Sequence, residues 1–351
     1  MINPHPTPGP AALVAQAPRI HGGPGANGPA RFDFSTTANA CGPCPMVLEA
    51  IREADFGHYP DPAYTALRQQ LAALHQVAPG RLVLAASASE FIFRITAVSG
   101  AGPVAVPVHA FGDYATAARG YGREVVHTLA GASLAWFTDP ASPSGEAVVR
   151  PAGFTPQPES AQPGWAVVDR ACEPLRLAGA SAWSGADADD VFQLYSPNKA
   201  LGLTGVRAAY AIAPVHGEAM VQRLEAACPS WPLGAAGAAL LTAWATPAVQ
   251  HWLAEARQSL RSWKLRQTAG FAELGWQVQP SVSNYGLLRP PVQTGMDAAT
   301  YATQVVEPAL AQAGVAWRNT TSFGLPGAWR VSVQPPVAQD HVWAVLRRLR
   351  G

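Results

Sequence analysis

Lys199 stands directly behind an apolar run, Val191 to Tyr195, inside a turn built from Ser196, Pro197 and Asn198. Gly202, Gly205 and Arg207 follow it. An ammonium held in a turn beside a cation has a depressed pKa, and its free amine can attack a carbonyl to form a Schiff base. Ser196 and Arg207 flank the lysine as a hydroxyl and a guanidinium, the groups that grip a phosphate. Taken alone, the lysine also fits a solvated position after an edge strand, since lysines are mostly exposed.

Two further stretches bear on the choice. Ala88-Ser89-Glu90 sits where a short apolar run turns into a helical pattern. Small residues there let backbone N–H groups approach an anion, and a helix N-terminus favours negative charge. Asp169 closes the continuous apolar run Trp165 to Val168. A carboxylate in such a place must be paired, because burying it alone is costly. Amine, phosphate anchor and buried carboxylate together describe a site for pyridoxal 5'-phosphate, in which the carboxylate keeps the pyridine nitrogen protonated. An ordinary strand–helix turn and a structural aspartate remain the plain readings of the two stretches.

The elements that must position these residues alternate in type. Short apolar runs at 82–85, 104–106, 123–128, 134–137, 165–168, 191–195 and 206–212 are separated by helical segments. Uninterrupted short strands with helices between them imply an α/β fold with a mainly parallel sheet covered on both faces. Reactive residues then belong at strand C-terminal ends, where Ala88 to Glu90, Asp169 and Lys199 all fall. Residues 1–44 read as an extended arm rich in Pro and Gly, 45–230 as the large domain and 231–351 as a smaller α+β domain. The helical pattern after Pro232 runs from 235 to 274, with strands expected at 285–288, 315–318 and 329–333.

Bulk properties narrow the partners. The chain has 351 residues, 48% hydrophobic and 13% charged, with a formal net charge of +1. That balance argues against nucleic acid or an anionic membrane as partner. No uncharged apolar stretch is long enough for a transmembrane helix, and no secretory signal is seen, so a cytoplasmic enzyme is expected. Cys41-Gly42-Pro43-Cys44 has redox-motif spacing. It lacks the surrounding unit, or the second ligand pair, that redox or zinc chemistry needs, and it reads as a structural turn. No metal is implied.

The segment Ser-x-x-Lys with Gly-Leu-x-Gly and an arginine eight residues on resembles the lysine segment of fold-type I pyridoxal-phosphate enzymes. The branch it is most similar to holds histidinol-phosphate aminotransferase and threonine-phosphate decarboxylase. The resemblance covers the whole chain. It implies that Lys199 carries the cofactor and is catalytic, and that Ala88, Ser89, Glu90, Ser196 and Arg207 hold its phosphate. It also implies that Phe111 stacks on its ring and that Tyr59 reaches the phosphate site of a neighbouring subunit, so a homodimer shares its active sites. Two positions depart from the family. Ser142 stands for an asparagine, and Cys172 for an aromatic of the Asp-Glu-Ala-Tyr/Phe motif, so both donors to the cofactor's phenolic oxygen are weaker.

His21-Gly22-Gly23, Arg318 and Arg330 resemble the decarboxylase branch, where such residues bind the substrate's anionic groups, with Thr37 and Asn39 beside them. The reaction this implies is decarboxylation of L-threonine O-3-phosphate to (R)-1-amino-2-propanol O-2-phosphate in cobalamin biosynthesis. The alternatives are an aminotransferase of the histidinol-phosphate type, and a cofactor-binding homologue with reduced turnover. In each case the partner is a small phosphorylated amino compound.

Overall fold

Leu82 and Leu84 pack into one hydrophobic cluster, Val83 and Ala85 into another. This two-residue alternation inside a wholly buried strand, Leu82–Ala85, shows that both sheet faces are covered. A computed structural model of the chain describes residues 20–26, 28–152, 154, 156, 164–291 and 295–349. Residues 1–19 and 27 of the expected arm lie outside the described residues.

The large sheet has seven strands in the order Leu82–Ala85, Ala209–Ile212, Phe192–Tyr195, Trp165–Asp169, Leu134–Thr138, Val104–Ala105, Val125–Val126. Ala209–Ile212 runs antiparallel to both of its neighbours. The remaining pairs are parallel. Helices Ala88–Val98, Gly112–Gly120 and Glu218–Ala226 cover one face through Phe91, Ile95, Tyr114 and Leu224. Helices Thr65–His75 and Ala235–Trp244 cover the other through Leu67, Leu71, Leu240 and Trp244. The expected α/β architecture is therefore present. The strand read at 123–128 shrinks to Val125–Val126, and the one read at 206–212 to Ala209–Ile212.

A separate antiparallel sheet has the order Arg318–Asn319, Trp329–Ser332, Tyr285–Arg289, Gln277–Val278. Its Trp329 and Val331 pack with Phe271, Trp276 and the C-terminal helix Pro336–Arg348. The arm joins this part, Phe32–Asp33 pairing in parallel with Val315–Ala316. The strand expected at 315–318 is thus two short strands in different sheets.

The helical region expected at 235–274 breaks at Thr246. Thr246 caps a new 27-residue helix, Pro247–Glu273, and Pro247 has no N–H with which to continue the preceding one. Leu240, Leu241, Val249, Leu253 and Leu260 pack in the same cluster as Leu82 and Leu84. Phe271 packs with the small sheet. We propose on this ground that the division between domains falls within the long helix rather than at 230/231.

Candidate active site

Lys199 follows the strand Phe192–Tyr195, and the turn bearing it is closed by Leu201 N–H donating to Pro197 O at 3.0 Å. The arm holds the turn from outside. Asn39 N–H donates to Lys199 O (2.8 Å), the Asn39 side-chain amide to Ala200 O (2.9 Å), and Cys44 N–H to Leu201 O (2.9 Å). Gly42 and Gly202 meet back to back. A methyl on Gly42 would lie 3.0 Å from the Gly202 Cα, and one on Gly202 2.9 Å from the Gly42 Cα. Lys199 is half-buried, and its amine has no hydrogen bond or ion pair among the described residues. Asn39, expected at the substrate, is instead spent on this frame, because its side-chain oxygen also accepts from Cys41 N–H at 3.0 Å.

Register aligns the other strand ends with the lysine. Thr138 pairs with Asp169, and Asp169 with Leu194. The buried Asp169 carboxylate accepts from the Tyr114 hydroxyl at 2.6 Å and from Ala171 N–H at 2.8 Å. Burial, and then the charge of Asp169, pushes the Tyr114 hydroxyl well above the usual range, so it stays protonated and donates. No guanidinium or ammonium pairs with Asp169 among the described residues. A buried carboxylate with two neutral donors and no cation fits a pyridinium N–H. Phe111 lies edge-on to Tyr114 at 5.8 Å, with the His21 ring 5.7 Å from Phe111.

At the phosphate turn, Ser87 caps the helix Ala88–Val98 by accepting from Glu90 N–H at 3.1 Å. Among the described residues the amides of Ala88 and Ser89 have no partner, a pair of donors at a helix start that suits a phosphate. The Glu90 N–H, expected at the phosphate, is taken up by Ser87. The Glu90 carboxylate accepts from Ala86 N–H (3.2 Å) and pairs with the buried Arg94 at 3.0 Å. Arg207 is exposed and has no carboxylate partner among the described residues. The Ser196 hydroxyl donates to Asn198 at 2.8 Å, so its oxygen faces an added phosphate as a donor only after rotating.

Ser142 and Thr138 line one cavity with His109 and Trp136. The buried Cys172 thiol lies 3.8 Å from the Thr37 hydroxyl. Thr37 is thereby placed against Cys172. Tyr285, which the sequence did not single out, donates its hydroxyl to Ala141 O at 2.9 Å beside the same thiol. Tyr59 is 78% exposed and stacks on Trp231 at 4.4 Å.

Arg318 and Arg330 are register partners on adjacent strands. Arg318 donates to Asn319 O (2.6 Å), Ile20 O (2.9 Å) and the Ser322 hydroxyl (2.6 Å). Arg330 donates to Ser35 O at 2.9 Å, and its buried Nε has no partner. Both guanidinium groups lie over the Phe323 ring, at 5.0 and 5.9 Å. Burial, and then the charge of Arg330, brings Arg318 down to about 10, and Arg330 is lowered mainly by burial. Two neighbouring cations without a carboxylate between them form a ready anion site.

Tyr114 and Tyr285 are the site residues that sequence reasoning missed. Tyr114 carried a signal, since it lies three residues beyond Phe111 and so on the same face of a helix start. Tyr285 carried none beyond its place in a strand.

Comparison with known proteins gives this geometry a family. Residues 161–349 match the model "Aminotransferase class I and II". Histidinol-phosphate aminotransferase 2 of Rhizobium meliloti is 27% identical over 287 residues, 76% of this chain and 80% of that protein. Histidinol-phosphate aminotransferase of Ruegeria pomeroyi is 26% identical over 324 residues, 86% of each. Among solved structures, histidinol-phosphate aminotransferase from Sinorhizobium meliloti in complex with pyridoxal-5'-phosphate superposes with TM-score 0.74 at 21% identity, covering 92% of both chains. L-threonine-O-3-phosphate decarboxylase from Porphyromonas gingivalis superposes with TM-score 0.68 at 20% identity, covering 90% of this chain and 98% of that one. The chain belongs to the class I and II aminotransferase family, and its cofactor is pyridoxal 5'-phosphate.

Proposed function

We propose that this enzyme transfers the amino group of a small amine bearing a phosphate, of the histidinol-phosphate type. The observation that carries the reading is the Arg318–Arg330 pair, two adjacent guanidinium groups that form no ion pair with a carboxylate among the described residues. The names of the relatives favour amino transfer over the decarboxylation that the arm and arginines first suggested.

Pyridoxal phosphate, when bound, supplies an electron sink for the substrate α-carbon. The chain's own groups supply the rest. Lys199 presents an amine free of partners, which both holds the cofactor and moves the proton at the α-carbon. Asp169, steadied by Tyr114, holds the proton on the ring nitrogen. The free amides of Ala88 and Ser89, with Ser196 and Arg207, hold the cofactor phosphate. Arg330 and Arg318 bind the substrate anion. Two copies of the chain share their sites, with the outward-facing Tyr59 reaching the partner's phosphate turn.

A second reading, decarboxylation of threonine phosphate, is favoured by His21, whose ring lies 5.7 Å from Phe111 at the edge of the site. One assay separates the two. The loaded enzyme is given histidinol phosphate with 2-oxoglutarate, or threonine phosphate alone. Glutamate formation in the first arm supports amino transfer. Carbon dioxide from the second, without glutamate in the first, overturns it in favour of decarboxylation.

A further inference from the structure

Lys264 is the chain's second lysine, and the proposed chemistry makes no use of it. It projects from the long helix and donates to two backbone carbonyls, Ser281 O at 2.5 Å and Ser283 O at 2.7 Å. No carboxylate pairs with it among the described residues. A half-buried ammonium that satisfies itself on carbonyls alone is costly, and burial brings it down to about 8. Such a cost calls for a return elsewhere in the structure.

The segment it grips is a junction. Val282 N–H donates to Gly145 O at 2.7 Å, and Val282 O accepts from Leu177 N–H at 2.7 Å. The Ser281 hydroxyl donates to Gly145 O (3.1 Å) and to Tyr285 O. Gly145 has φ +76°, and a side chain there would collide with Ser281 and Tyr285. The loop that ends at Gly145 begins at Asp139, which is buried and bonded to Arg176 at 2.5 Å and to the Ser181 hydroxyl at 2.5 Å. The loop is therefore fixed at both ends, and Ser142 stands at its middle.

We infer that Lys264 is a positioning residue: through Ser281 and Ser283 it clamps the far end of the 139–145 loop and so sets the pose of Ser142 toward the cofactor. The inference rests on the cofactor-site reading for Ser142, while the clamp itself does not. Ser142 has a short side chain. Its reach depends correspondingly more on where the loop is held.

The test compares Lys264→Met and Ser281→Ala with the unaltered enzyme. Amide hydrogen exchange over 141–146 and 279–285 is expected to speed up about tenfold in Lys264→Met. The pH titration of the visible band of the loaded protein is expected to move by about half a pH unit in both variants. Exchange at the unaltered rate overturns the clamp. Faster exchange with an unmoved titration overturns the positioning of Ser142. If Lys264→Met fails to fold, Lys264→Gln decides on the same two readouts, because it shortens the grip on both carbonyls and keeps a polar side chain, while Ser281→Ala reports only the hydroxyl link to Gly145. If the unaltered protein shows no visible band with pyridoxal phosphate, the cofactor-site reading fails. The positioning of Ser142 falls with it, and exchange alone decides the clamp.

Discussion

Tyr114 donates its hydroxyl hydrogen to Asp169 across 2.6 Å, joining the helix that begins after Phe111 to the end of a central strand. The bond is buried, so its loss leaves a carboxylate short of one of two donors. Tyr114→Phe is expected to lower unfolding free energy by about 1–3 kcal/mol in the cofactor-free protein, measured by urea denaturation. An unchanged midpoint would mean that water replaces the hydroxyl and that Asp169 is less enclosed than its burial indicates.

Lys199→Ala is expected to bind pyridoxal phosphate without the visible band that borohydride removes from the unaltered enzyme. Mass mapping of the reduced protein is expected to place the adduct on Lys199. An adduct on Lys264 would displace Lys199 from its role.

Arg330→Ala is expected to cost about 2–5 kcal/mol in kcat/KM for a phosphorylated substrate, since it removes half of a desolvated anion site. The loss for the same substrate without its phosphate is expected to be much smaller. Equal losses for both would put the substrate phosphate elsewhere.

His75 is half-buried against Tyr210, its Nε2 2.7 Å from that hydroxyl, and burial, then the Arg170 charge, brings it down to about 4. The unfolded chain, with an ordinary histidine near 6.5, binds more protons between those values. Stability must therefore fall as pH drops from 6.5 toward 4, by up to about 3 kcal/mol from this residue. His75→Gln is expected to flatten that part of the stability–pH curve. A variant curve parallel to that of the unaltered protein would remove His75 as the cause.

Much of the large domain was legible because a doubly covered sheet writes its strands as continuous apolar runs. Leu82–Ala85 and Trp165–Asp169 were found almost to the residue for that reason. The reversed direction of Ala209–Ile212 leaves no mark in composition, and it was read as one more strand of the series. The texture change after Pro232 is a change of helix, whereas the change of core, on which the proposed division rests, comes inside Pro247–Glu273 and leaves no mark in composition.

In the site, Lys199 and Asp169 were picked out by their places at strand ends, although position alone also allowed plain structural readings of both. Glu90 was read into the phosphate turn and Asn39 into the substrate site from their places in the chain and from the resemblance. Only coordinates show that Arg94, Ala86, Ala200 and Cys41 already occupy them. Arg318 and Arg330 lie twelve residues apart in sequence, and only the hairpin register makes them neighbours.

The contact of Gly42 with Gly202 has a consequence for inheritance. Neither position accepts a methyl while the other stays in place, and Asn39 and Cys44 tie the same two stretches by hydrogen bonds. Arm and lysine turn thus form one transplantable unit, although some 160 residues of chain separate them. A chimera that takes the turn from one homologue and the arm from another breaks the fit. One that exchanges 37–44 together with 196–204 keeps it.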